Sequence, residues 1–342
     1  MASQRTGGVL RPAVTLRSAL GNRPLKSVDI ETLEELEKSS QVECYLDPDA
    51  PRTLYIIVQN HLKNSSNGRI FDDSYGLVCV RLLIRLIHVV ICENDGSLAR
   101  IEANVNTTLA KSNTLAILSQ HASNVVLGDT GASLGALNSL HVKSKKLFNN
   151  EELFALLDIF WKDRKVFLVL YKKEALPGFL LLLYMIWIRV SGVVGEMDPY
   201  MMNRLRDLLL RTYLVASIWE RETIRLLCIY MYQVHDCHAD KSIPYDEEDS
   251  RAIAHAYNRC IMVQVDPDPL KGMKLDVYRY LLEFVSDLVG STLFEEFPLV
   301  ISAAIERFWM AFDTEKVEFL IPPDDRRSQI MYYAGDLSYA VK

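Results

Sequence analysis

His235-Asp236-Cys237-His238, with Asp240 and His255 close behind, gathers imidazole, thiol and carboxylate donors at the end of a helical run. Such side chains can hold zinc, but a structural site needs four ligands in tetrahedral geometry, and the sequence supplies one tight cluster rather than paired motifs. Histidines at a helix C-terminus also complement the negative end of the dipole, which is the reading the cluster supports. No metal and no cofactor is expected. A second set, Arg81, Arg85 and His88, falls within an arc of about 60° on one helix. It makes a narrow cationic stripe on an apolar segment, meeting water or carboxylates at a core edge or lining a groove. These three residues are the candidate interaction surface. Tyr332, Tyr333 and Tyr339 near the C-terminus would serve an interface or pack a terminal helix.

Val125-Val126-Leu127-Gly128-Asp129-Thr130-Gly131-Ala132-Ser133 resembles the Asp-Thr-Gly loop of aspartic proteases. That mechanism needs two carboxylates sharing a proton, so one loop would require a homodimer or a second copy. No second Asp-Thr-Gly is present, and helical sequence follows where the resemblance implies strands, so Asp129 and Gly131 are read as a turn. Leu153-Phe154-Ala155-Leu156-Leu157 and Leu205-Arg206-Asp207-Leu208-Leu209 spell Leu-x-x-Leu-Leu, a pattern of helices bound in coregulator grooves. In a leucine-rich helical chain they are read as core. The sequence carries no Gly-x-x-x-x-Gly-Lys phosphate loop, no Gly-x-Gly-x-x-Gly, no His-Glu-x-x-His and no Gly-x-Ser-x-Gly. No catalytic residue is assigned.

The chain has 342 residues, 49% of them hydrophobic and 24% charged, which fits a folded protein of roughly two packed units. Its net charge of −6 is unevenly placed. Residues 1–28 hold Arg5, Arg11, Arg17, Arg23 and Lys26 and no acid, so all 44 acidic residues lie beyond them against 33 basic ones. An acidic body has no field to draw phosphates from a distance, so nucleic acid is not an expected partner. The six cysteines form no Cys-x-x-Cys pair, which fits a reducing, cytoplasmic setting. Asn64-Ser65-Ser66 and Asn106-Thr107-Thr108 are glycosylation triplets that matter only in a secreted protein. The Arg-rich, acid-free start has a loose transit-peptide character, but Gly7, Gly8, Pro12 and Pro24 interrupt an amphipathic helix. It is read as a disordered basic tail, with mitochondrial targeting as the alternative.

Apolar spacing predicts helices beginning near Asp29, over Thr53–Leu62, Tyr75–Cys92, Leu98–Lys111 and Thr114–Leu127, then over Glu151–Lys165, Pro177–Val190, Pro199–Ser217, Glu220–His235, Asp249–Val265, Lys274–Val289 and Phe297–Phe312. Asn64 to Ser74 reads as an exposed loop. Residues 128–150, with three glycines and the lysines Lys143, Lys145 and Lys146, read as a loop or linker between an N-terminal subdomain (29–127) and a C-terminal paired-helix subdomain (151–342). No stretch alternates with period two, so little or no sheet is expected.

Asp158, Asp207 and Asp287 share an apolar-x-Asp-apolar-apolar setting at spacings near one and two periods of about 40–47 residues. In helix length and spacing, residues 150–320 look like the helix pairs of HEAT and armadillo repeats. The fold class is therefore all-α: an irregular multi-helix array that takes a HEAT/armadillo-like solenoid form if the repeat is real.

Two segments raise the membrane alternative. Tyr75–Cys92 would place Arg81 and Arg85 near a bilayer centre at about +2.5 to +3.5 kcal/mol each, which offsets about −0.3 to −0.6 for each aliphatic residue. Ala175–Gly195 holds one charge, Arg189, and follows Lys172-Lys173, so it could be a single span; its uninterrupted apolar core, Phe179 to Ile188, has the length of a buried helix. The expectation is a cytoplasmic, non-enzymatic interaction scaffold with an unidentified protein partner. A membrane-anchored protein and an enzyme without a recognisable motif are the alternatives.

Overall fold

The computed structural model describes residues 15–39, 42–101, 114–128, 141–142, 145–174, 176–191, 199–216, 220–221, 247–262, 275–292 and 295–312. The protein is all-α. Its helices are α1 (Leu16–Ala19), α2 (Ile30–Lys38), α3 (Ala50–Asn64), α4 (Ser74–Asn94), α5 (Thr114–Gly128), α6 (Asn150–Lys162), α7 (Phe167–Glu174), α8 (Phe179–Ser191), α9 (Pro199–Val215), α10 (Glu247–Met262), α11 (Leu275–Thr292) and α12 (Phe297–Phe312). Short 3-10 turns cover Leu25–Ser27, Glu43–Leu46 and Arg164–Val166. Among the described residues the sheet is one two-residue hairpin, β1 (His141–Val142) antiparallel to β2 (Lys145–Lys146), with His141 opposite Lys146.

The chain forms two compact units, Met1–Val125 with Ser139–Glu152, and Val126–Asn138 with Leu153–Lys342. In the first, α2 and α3 pack against α4. Between Gly76 and Cys92 every side chain of α4 except Arg81 is buried. Asp73 starts this helix, its carboxylate accepting the Gly76 N–H at 3.0 Å.

Three expectations change here. Thr15 caps α1, and Leu16 and Leu20 are fully buried, so residues 15–28 are folded structure rather than tail. Gly21 and Asn22 then turn the chain at φ +71° and +52°. The loop before α4 is not wholly exposed either, because Ile70 and Phe71 are buried beneath its polar neighbours. Lastly, the far part of the expected linker belongs to the first unit. Leu147 and Phe148 are buried, and Asn149 forms a capping box with Glu152: the Glu152 N–H donates to Asn149 Oδ1 at 2.8 Å, and the Asn149 N–H donates to Glu152 Oε2 at 3.0 Å.

In the second unit α10 lies against α7, α9, α11 and α12, and α9 also packs on α7 and α8. Phe160, Phe167 and Phe179 join the starts and ends of α6, α7 and α8, with ring centroids 4.7 to 6.4 Å apart. The 13-residue α8 is about 20 Å long, against the roughly 30 Å of a bilayer core, and Phe179 to Trp187 are all buried within the unit. By length and composition, α4 is the one described helix that could cross a membrane, and it is the buried centre of the first unit.

Candidate functional site

The Arg81, Arg85 and His88 stripe faces inward. Arg85 is fully buried, and its guanidinium donates to the carbonyl oxygens of Leu36 at 3.4 Å, Glu37 and Ser39 at the C-terminal end of α2. The Arg85 cation also lies 5.3 Å from the centre of the Tyr45 ring. Arg81 Nη1 is 3.4 Å from Glu37 Oε1, with the arginine side chain 24% exposed. Burial raises the Glu37 carboxyl above its ordinary range, and Arg81 and Arg85 oppose that rise. His88 is fully buried one turn further along α4. Arg85 thus holds the C-terminus of α2, with Arg81 paired to Glu37 beside it, and Arg85 and His88 are buried in the first unit.

The entry to α4 is equally constrained. A Cβ on Gly76 would stand 1.5 Å from the Ile70 carbonyl oxygen, so only glycine admits that close backbone approach. Tyr75 donates its hydroxyl to the Val28 carbonyl at 3.1 Å and stacks on His61 at 4.9 Å. His61 Nε2 in turn lies 3.4 Å from Asp73 Oδ1.

In the second unit the main polar centre is Arg211, also fully buried. Nη1 and Nη2 donate to the two oxygens of Asp249 at 2.6 and 2.9 Å, and Nε donates to Asp207. The guanidinium pKa rises: burial opposes the charged form, and the two carboxylates outweigh it. Asp249 lies in the first turn of α10, where the helix dipole favours an anion, so this cluster ties α9 to α10. Ser250 extends the tie by donating to the Leu288 carbonyl of α11 at 3.3 Å. The buried Glu220 carboxylate accepts the Gly178 N–H at 2.6 Å, at the start of α8. Asp249 and Glu220 stand 38 and 42 residues from their partners, so no local pattern marks them in the sequence.

The other sequence candidates resolve unevenly. In the two Leu-x-x-Leu-Leu segments all six leucines are buried, as core. Asp158, Asp207 and Asp287 do not share an environment. Asp207 is buried against Arg211, Asp158 is half-exposed beside Arg204, and Asp287 is exposed. Asp129-Thr130-Gly131, residues 235–240 and the three C-terminal tyrosines lie outside the described residues, and His255 is exposed on α10. Among the described residues no group of three or more His, Cys, Asp or Glu is placed to hold a metal. The described thiols are buried, which pushes Cys44 and Cys260 up to about 11 and Cys79 and Cys92 up to about 12, opposite to what a nucleophile needs.

Among the described residues, exposed large apolar side chains are few. On α12, Leu299 is 51% and Ile305 41% exposed, and Val169 on α7 is 47% exposed. At 100° per residue Leu299, Ser302 and Ile305 span about 120°, opposite the buried Val300, Ala303 and Ala304. Comparison with family models, curated proteins and solved structures gives no match to this chain.

Proposed function

We propose that the protein is a cytoplasmic, non-enzymatic interaction scaffold, and that the outer face of α12 receives a protein partner. The observation carrying this reading is the pair Leu299 and Ile305, two large aliphatic side chains left facing solvent on a helix whose opposite face is packed. Ser302 lies between the two on the same arc and Glu306 lies beside Leu299, so polar atoms are interleaved with the two aliphatic side chains. The buried charges support the non-enzymatic side. Arg85, Arg211 and Glu220 each hold a helix end or a helix pair, and engagement of that kind keeps them from acting on a substrate. The packing of α10 with α9, α11 and α12 supports a stacked, repeat-like array with a broad surface. The acidic balance beyond residue 28 favours a protein over nucleic acid as partner.

Affinity purification of the full chain, compared with Leu299→Lys/Ile305→Lys, tests this. The expected result is a protein recovered near stoichiometry with the parent and lost at least tenfold with the variant, whose melting temperature is unchanged. Equal recovery with both would contradict the assignment of α12.

A further inference from the structure

The loop that leads into α4 carries the one Asn-Gly pair in the sequence, Asn67-Gly68. Asn67 is exposed, and Gly68 turns the chain at φ +62°. A Cβ placed on Gly68 would meet no atom within 4 Å, so the peptide between the two residues is open on that side. The Asn67 side-chain amide donates to Asp72 Oδ2 at 3.0 Å across the same loop, in contact with solvent. Every other asparagine is followed by a residue with a side chain, and Asn60, Asn124, Asn203 and Asn258 lie within helices, where the backbone is held.

We propose that Asn67 is a site of spontaneous deamidation, and that the change loosens the seat of α4. The Gly68 backbone nitrogen attacks the Asn67 side-chain carbonyl carbon and forms a C–N bond, giving up its proton to solvent. The side-chain nitrogen leaves as ammonia. Water then opens the five-membered imide at either carbonyl, yielding aspartate or a β-linked isoaspartate. Glycine favours the step twice over, since it has no Cβ to shield the nitrogen and its wide φ/ψ range lets the chain reach the cyclic geometry. The hydrogen bond to Asp72 opposes it, but an exposed bond of this kind slows the step by about tenfold at most. The product carries a carboxylate where the amide donor stood, so two like charges face each other across the loop. The β-linked form also inserts one carbon into the main chain three residues before Ile70. Burial of Ile70 and Phe71, the Asp73 cap on Gly76 and the close pass of the Ile70 carbonyl by Gly76 all depend on the length and path of this loop.

Peptide mapping by mass spectrometry of the folded, full-length protein, aged in warm and mildly alkaline buffer, tests the proposal. The peptide holding Asn67 should gain about 1 Da and become a substrate for isoaspartyl methyltransferase labelling. It should do so at least about tenfold faster than peptides holding the helical asparagines, and more slowly in mildly acidic buffer. Gly68→Ala should slow the change by about tenfold or more, with circular dichroism showing the variant folded. Aged protein should melt several degrees below fresh protein. Asn67→Gln should keep its melting temperature through the same treatment. Modification of Asn67 only in urea-unfolded chain, or at an equal rate in Gly68→Ala, would overturn the site. A melting temperature unchanged by complete modification would overturn its link to α4.

Discussion

Arg85 and Arg211 are both fully buried, and they meet the cost of desolvation by different routes. Arg85 is surrounded by carbonyl dipoles at a helix end, whereas Arg211 is held by two carboxylates on two helices. Removing the cation from between two buried carboxylates takes away the charge that pairs with both. Arg211→Met should therefore cost about 3–5 kcal/mol in urea unfolding, and the triple change with Asp207→Leu and Asp249→Leu should recover most of it. The buried acids make a second prediction. Burial raises Cys44, Cys79, Cys92, Cys260 and Tyr75 to about 11 or 12 in the folded protein. Above about pH 8.5 the unfolded chain releases thiol protons that the folded chain keeps, so stability should fall as pH rises from there. Denaturant midpoints between about pH 8 and 10 should decline, and Cys79→Ala/Cys92→Ala should flatten the decline. A pH-independent midpoint would show that those thiols are not buried as described.

Among the elements, α4 shows what the sequence could and could not disclose. Its span and its stripe were readable because apolar residues run unbroken around two arginines and His88 at helical spacing. What the cations face was not readable, because the carbonyls that Arg85 satisfies lie 46 to 49 residues away. The same holds for Ile70 and Phe71, two apolar residues buried within a polar run whose composition reads as loop. The helix α7 left little trace, since eight residues between Asp163 and Pro177 show too few turns for a period to emerge. Arg85→Ala should cost about 3 kcal/mol by removing a buried guanidinium donor from the carbonyls at the end of α2. Arg81→Ala, removing a part-exposed pair with Glu37, should cost less than about 1 kcal/mol. Gly76→Ala should cost about 3 kcal/mol or prevent folding, because the colliding Ile70 oxygen is backbone and the first turn of α4 must move. Thermal melts of the three variants order these costs, and an Arg81 penalty equal to that of Arg85 would refute the inward placement of the stripe.

For the whole molecule, the helical class and nearly every described helix followed from apolar spacing, while the organisation into units did not. Val126–Asn138 and Ser139–Glu152 fall in different units although composition reads residues 128–150 as one loop. Packing of Leu147 and Phe148, not flexibility or polarity, decides where the later segment goes. The proposed function also concerns the whole molecule, because buried charges hold helices together while Leu299 and Ile305 of α12 face solvent. A photo-cross-linking residue placed at Ser302, between Leu299 and Ile305, interrogates that face directly in cells. The expected result is a discrete cross-linked protein species that disappears when Leu299→Lys/Ile305→Lys is added and does not form from a probe at the exposed Lys63 of α3. No species above the Lys63 background, or one that persists in the double variant, would contradict it.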